Sequence, residues 1–132
     1  MHILLVDDDA AVRDSVAMVL LDAGFTVEQA ENGIDAMRRL KQRVPDLVVT
    51  DILMPEKEGI ECIREIRSLA PEVPVIAISG AGGGQADYLG MARLLGAAAV
   101  LAKPFDPMAL VEMAERLVEE REAAPKRKHT RK

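Results

Sequence analysis

Four apolar runs of this chain each end in carboxylate, hydroxyl or ammonium side chains. Asp7, Asp8 and Asp9 follow residues 3–6, Asp51 follows 47–49 by way of Thr50, Ser79 follows 75–78, and Lys103 follows 99–102. Carboxylates that converge repel one another, and a cation is the natural compensator. A donor set of oxygens, with no His or Cys, selects a hard ion. Mg2+ suits a small carboxylate cluster that leaves positions for water and phosphate. The set is therefore that of a site for Mg2+ and a phosphoryl group.

The elements that must position these groups are legible in the apolar pattern. The four runs are almost wholly apolar, as strands covered by helices on both faces must be. Residues 25–28 alternate instead, Phe25 and Val27 against Thr26 and Glu28, which predicts an edge strand with one wetter face. Helical spacing follows each strand: Val12, Val16, Val19 and Ala23; then Ile34, Met37, Leu40 and Val44; then Ile63, Ile66 and Leu69; then Tyr88, Met91 and Leu95; and last Leu110, Met113, Leu117 and Val118. Gly24 and Gly96 stand where helices should end, and Asp106 with Pro107 supplies a cap and a first-turn proline for the last helix. The order is (βα)5, an α/β chain. It predicts a doubly wound parallel sheet, for which two strand orders are plausible; the flavodoxin-like order 2-1-3-4-5 is preferred because it puts the alternating strand at one edge and the apolar strands 1, 3 and 4 inside. Ligands of such sheets bind beyond the carboxyl ends of the strands where the order reverses, here between strands 1 and 3, so their terminal carboxylates should meet.

Composition narrows the function classes. A chain of 132 residues suits one domain. At 49% hydrophobic and 30% charged residues it is globular rather than disordered. With two Phe, one Tyr, no Trp and a net charge of -5, base stacking and generic nucleic-acid binding are both disfavoured. The single cysteine, Cys62, can form no internal disulfide and has no metal-ligating neighbours, so it reads as a buried helical residue. There is no long apolar span and no secretory pattern, which points to a cytoplasmic protein without membrane insertion.

Taken together, Asp7-Asp8 after an apolar strand, the run Asp51-Ile52-Leu53-Met54-Pro55 with Gly59 beyond, Ser79, and Lys103-Pro104-Phe105 resemble the response-regulator receiver domains, the CheY-like family. The resemblance covers roughly residues 1 to 121 and is specific in its combination and order. It implies that Asp51 is the phosphoacceptor. Asp7, Asp8, Asp51 and the backbone carbonyl of Leu53 would hold Mg2+, Ser79 would be the hydroxyl that follows the phosphoryl group, and Lys103 would pair with its oxygens. The donor would be a phosphohistidine on a sensor histidine kinase or histidine phosphotransferase, and the output an unnamed downstream protein. Such a chain is a switch of a two-component or phosphorelay system, not a multiple-turnover enzyme. Residues 1–122 would form the receiver and 123–132 a basic, disordered tail, which resembles a stand-alone receiver.

Other readings compete residue by residue. Asp9 reads as the N-cap of the first helix, and Asp7 and Asp8 alone could simply favour a helix N-terminus. Ser79 alone could be a turn residue before Gly80. The Gly82-Gly83-Gly84 run lacks the Gly-Lys-Ser/Thr ending of a phosphate loop. Lys126, Arg127, Lys128, Arg131 and Lys132 could be a solvated terminus or dock an acidic partner. At the level of function, Asp7-x-Asp9 allows a Mg2+-dependent phosphatase with Asp7 as nucleophile and Asp9 as acid/base. A pseudo-receiver that binds without phosphorylation is the third class. Many receivers carry Tyr or Phe three residues before the lysine, and its rotation reports activation. This chain has Val100, which has no ring to swing, so the resemblance shifts the expected response to Ser79 and residues 80–84.

Overall fold

The computed structural model describes residues 1–52, 58–79, 96–102 and 105–123. The apolar runs form the strands, in the order β1 (His2–Val6), α1 (Ala10–Asp22), β2 (Thr26–Ala30), α2 (Gly33–Gln42), β3 (Leu47–Asp51), α3 (Glu58–Leu69), β4 (Val75–Ser79), β5 (Ala99–Ala102) and α4 (Pro107–Ala123). All pairings are parallel and the sheet order is β2-β1-β3-β4-β5, as expected from the sequence. The helix expected around Tyr88, Met91 and Leu95 lies outside the described residues, as do residues 80–84 and residues 124–132 of the basic tail.

Side chains two apart on a strand share a face, so each buried strand feeds two cores. Leu4, Val6, Val48, Val75 and Ala77 pack on one face against Ala36 and Leu40 of α2 and Cys62, Ile63 and Ile66 of α3. Ile3, Leu5, Leu47, Val49, Ile76 and Ile78 pack on the other against Ala17 and Leu20 of α1 and Leu110, Ala114 and Val118 of α4. Cys62 is buried in the first core, as its sequence context implies.

Four expectations shift. The edge strand begins at Thr26 and runs to Ala30, not from 25 to 28. Phe25 instead closes α1: its N–H donates to the Leu20 carbonyl at 3.1 Å, while that of Gly24 donates to Leu21 at 3.0 Å. This is the Schellman arrangement, and Gly24 supplies its left-handed residue with φ 100°. Phe25 then packs in the same core as Leu20, so an apolar residue that reads as strand is used as a helix stop. Second, α1 buries Ala17 and Leu20, whereas Val12, Val16 and Val19 are half-buried and Ala23 is exposed. Third, α2 buries Gly33, Ala36 and Leu40 and leaves Ile34 81% exposed, and Val44 lies beyond the end of that helix. Small residues let a helix approach the sheet closely, so Ala17 and Ala36 take the inner positions that larger neighbours would otherwise claim. Leu69, the last residue of α3, is likewise exposed, and Ala70 just beyond it is buried.

The wetter face of β2 carries a charged cluster under α2. Arg39 donates to Glu28 at 2.9 Å and to Asp35 at 3.2 Å, Arg38 pairs with Asp35, and the His2 ring meets Glu28 at 3.1 Å. Burial alone would raise the Glu28 and Asp35 carboxyls. The hydrogen bonds outweigh it, from Arg39 and His2 on Glu28 and from Arg39, Arg38 and the Glu31 backbone on Asp35, and both end below their ordinary values of 4.5 and 3.8. Groups lowered on folding contribute stability that is present above the unfolded value and lost as pH falls through the folded one. Glu28→Gln is therefore expected to cost under about 1 kcal/mol at pH 7, the range of partly exposed pairs. In paired urea melts the gap between variant and parent should close as pH falls below 4.5. A gap that stayed constant down to full protonation would mean the pair contributes nothing through charge.

Candidate functional site

The end of the sheet is built by register. Val6 pairs with Thr50 across β1 and β3, so Asp7 and Asp51 leave their strands at the same level. Thr50 and Asp51 are buried in β3, Asp7 is 5% and Asp51 7% exposed, and Asp8 faces solvent. Carboxylate oxygens of Asp7, Asp8 and Asp51 all lie within 4.8 Å of one another. The three candidate metal ligands that fall among the described residues are thus brought together.

The turn that carries two of them is held by its own backbone and side chains. The Asp7 N–H donates to the Ala30 carbonyl at 3.2 Å, extending β1 by one residue along β2. The Asp9 N–H donates to Asp7 Oδ1 at 2.9 Å, turning the chain inward. Asp9 Oδ1 accepts from the N–H groups of Ala11 and Val12 at 3.0 and 3.2 Å, so Asp9 is the N-cap of α1, as read from the sequence. The Thr50 hydroxyl donates to the Asp51 carbonyl at 3.2 Å, and the Ile52 N–H to the Ile78 carbonyl at 2.9 Å, which fixes the chain on both sides of Asp51.

Of the other expected members, Ser79 falls among the described residues, at the end of β4. Asp51 is in register with Ile78, so Ser79 ends β4 one residue beyond the level of Asp51, and Ser79 is in register with Ala102. Lys103 follows Ala102 directly in the chain. Lys103 and Leu53 lie outside the described residues. Val100 is half-buried and packs against the core beneath α2 and α3.

One residue of this end was not foreseen. Arg13, half-buried on α1, donates from Nη1 to the Asp7 carbonyl at 2.7 Å and from Nε to Gln29 Oε1 at 2.9 Å. A signal was available: a cation at the start of a helix opposes the helix dipole and needs a local reason. Helical side chains also lean toward the N-terminus, which aims Arg13 at the acidic turn.

The donor chemistry fits a hard divalent cation. Among the described residues, three carboxylates at the ends of two adjacent strands, two of them buried and one exposed, offer the oxygen ligands that such an ion takes.

Comparison with known proteins identifies the family of the fold. A family model described as response regulator receiver domain matches residues 3–115. Response regulator MprA of Mycobacterium sp. (strain KMS) is 35% identical over 116 residues, which is 88% of this chain and 48% of that protein. The chain thus spans about half the length of the curated relatives it matches. Among solved structures, the receiver domain of NtrX from Brucella abortus superposes with a TM-score of 0.82 at 35% identity, covering 89% of this chain and 98% of that one. A CheY-like response regulator receiver domain protein from Methanospirillum hungatei JF-1 gives a TM-score of 0.83 at 29% identity, over 92% of this chain and 95% of that one.

Proposed function

The chain belongs to the response-regulator receiver family, and from that premise we propose that it is a phosphorylation-dependent switch of a two-component or phosphorelay system with Asp51 as the acceptor. The observation that carries the proposal is the convergence of Asp7, Asp8 and Asp51, with Asp51 buried at the end of a central strand. An Asp51 carboxylate oxygen attacks the phosphorus of a phosphohistidine on a sensor histidine kinase or histidine phosphotransferase. The P–N bond breaks, the imidazole keeps the electron pair and takes a proton, and an acyl phosphate forms on Asp51.

Mg2+ held by Asp7, Asp8, Asp51 and the Leu53 carbonyl would supply positive charge against the transferring oxygens. Lys103, the residue after β5 in the sequence, would add an ammonium that offsets the repulsion between a carboxylate and an anionic donor. The Ser79 hydroxyl then has a new acceptor in the bound phosphoryl group. Its movement is the first response in a chain with valine at position 100. The receiver unit is residues 1–122, acting in the cytoplasm on a downstream protein. The phosphatase reading loses ground because its acid/base, Asp9, uses an oxygen to cap α1.

The test is incubation of the full chain with a small phosphodonor and Mg2+. The switch predicts close to one phosphoryl group per chain by intact mass, labile to base and absent when Mg2+ is chelated. Continuous release of phosphate from phosphomonoesters over many turnovers would favour the phosphatase. A chain that takes up no phosphoryl group would favour the phosphorylation-independent binding module.

A further inference from the structure

We propose that Arg13 is a positioning residue for the acidic turn, setting the direction of Asp8 and through it the affinity of the site for a divalent cation. This rests on the receiver reading of the site. The Asp7 carbonyl and the Asp8 N–H belong to one rigid peptide plane. Arg13 Nη1 fixes the carbonyl end of that plane at 2.7 Å, and its Nε is anchored at 2.9 Å to Gln29, the neighbour of the Ala30 carbonyl that receives the Asp7 N–H. The guanidinium therefore bridges α1, the turn and β2 in one fork, a geometry that a single ammonium cannot reproduce.

Asp8 depends on this plane more than its two partners do. Asp7 and Asp51 are buried at the ends of paired strands, whereas Asp8 is exposed and lies past the end of β1. With the plane free to rotate, the Asp8 carboxylate would sample directions away from the other two. The Arg13 backbone N–H also donates to the Asp9 carbonyl at 2.9 Å, so the residue that caps α1 and the residue that clamps the turn are joined in one helical turn. Arg13 touches neither the acceptor oxygens nor the phosphoryl group in this scheme. Its effect passes through Asp7 and Asp8.

The experiment measures Mn2+ binding to the full chain, through the electron-spin signal of the free ion, for the parent, Arg13→Ala, Arg13→Lys and Gln29→Leu. Arg13→Ala is expected to weaken binding about tenfold, the scale of lost outer-shell partners. Arg13→Lys and Gln29→Leu should fall between it and the parent. Phosphoryl uptake from a small donor should need correspondingly more Mg2+ for half-saturation in Arg13→Ala and reach a plateau rate within about twofold of the parent. Arg13→Ala that binds Mn2+ as tightly as the parent, whatever its melting temperature, overturns this proposal and leaves the site reading intact. If Arg13→Ala shows no cooperative melt, Gln29→Leu decides: weaker binding supports the proposal and unchanged binding overturns it. A parent chain that binds no Mn2+ overturns the site reading and this proposal together.

Discussion

Asp51→Asn is expected to lower phosphoryl incorporation from a small donor by at least about a thousandfold, equivalent to roughly 4 kcal/mol of barrier. The amide keeps the volume of a side chain that is only 7% exposed and keeps one carbonyl oxygen as an acceptor, so the core around β3 has no reason to rearrange. What it loses is the anionic oxygen that attacks phosphorus, and an amide oxygen is a poor substitute. Intact-mass measurement after incubation with donor and Mg2+ reads the outcome, and a thermal melt close to that of the parent shows that the fold is kept. Phosphoryl uptake that persisted in this variant at Asp7 or Asp8 would place the acceptor in the turn after β1 instead. Sustained phosphomonoester hydrolysis without Asp51 would return the phosphatase to first place.

The second large effect concerns the helix that carries the acidic turn. Leu20→Ala is expected to destabilise the chain by about 3 kcal/mol and to lower the melting temperature by roughly 10 °C. Leu20 is fully buried between α1 and the sheet, and removing it leaves a cavity that the packed face fills only in part. Against a total stability of about 5–15 kcal/mol, that is a large fraction. Leu21→Ala, one residue along and 53% exposed, should change stability by no more than about 0.5 kcal/mol. Equal costs at the two positions would show that α1 is rotated relative to the structure. The pair therefore measures the setting of α1, on which the direction of Arg13 also depends.

The setting of α1 is one of the things that periodicity alone did not reveal. From Val16 to Leu21 the chain is apolar at every position, so a stripe of period 3.6 can be drawn through more than one set. Val12, Val16 and Val19 form one such stripe; the structure buries the one through Ala17 and Leu20. Phe25 is a similar case. Its alternation with Val27 is real, but its backbone N–H closes α1 and the strand starts one residue later.

The strands, the preferred one of two strand orders and the acidic end of the sheet were legible in the sequence, because those depend on local composition and on general rules of connection. A run of branched apolar residues is a buried strand wherever it sits, and alternating strands and helices admit few right-handed parallel topologies. With β1 and β3 adjacent, Asp7, Asp8 and Asp51 had to meet, and they do within 4.8 Å. Which side of each helix faces inward is settled only by packing, since that choice rests on how closely small residues such as Ala17 and Ala36 let a helix approach the sheet. Tertiary structure also decided that Arg13 reaches Gln29, sixteen residues away, while holding the Asp7 carbonyl. Such a bridge joins a helix, a turn and a neighbouring strand, and no periodicity along one element encodes it. It exists only once the strands have brought the two segments side by side.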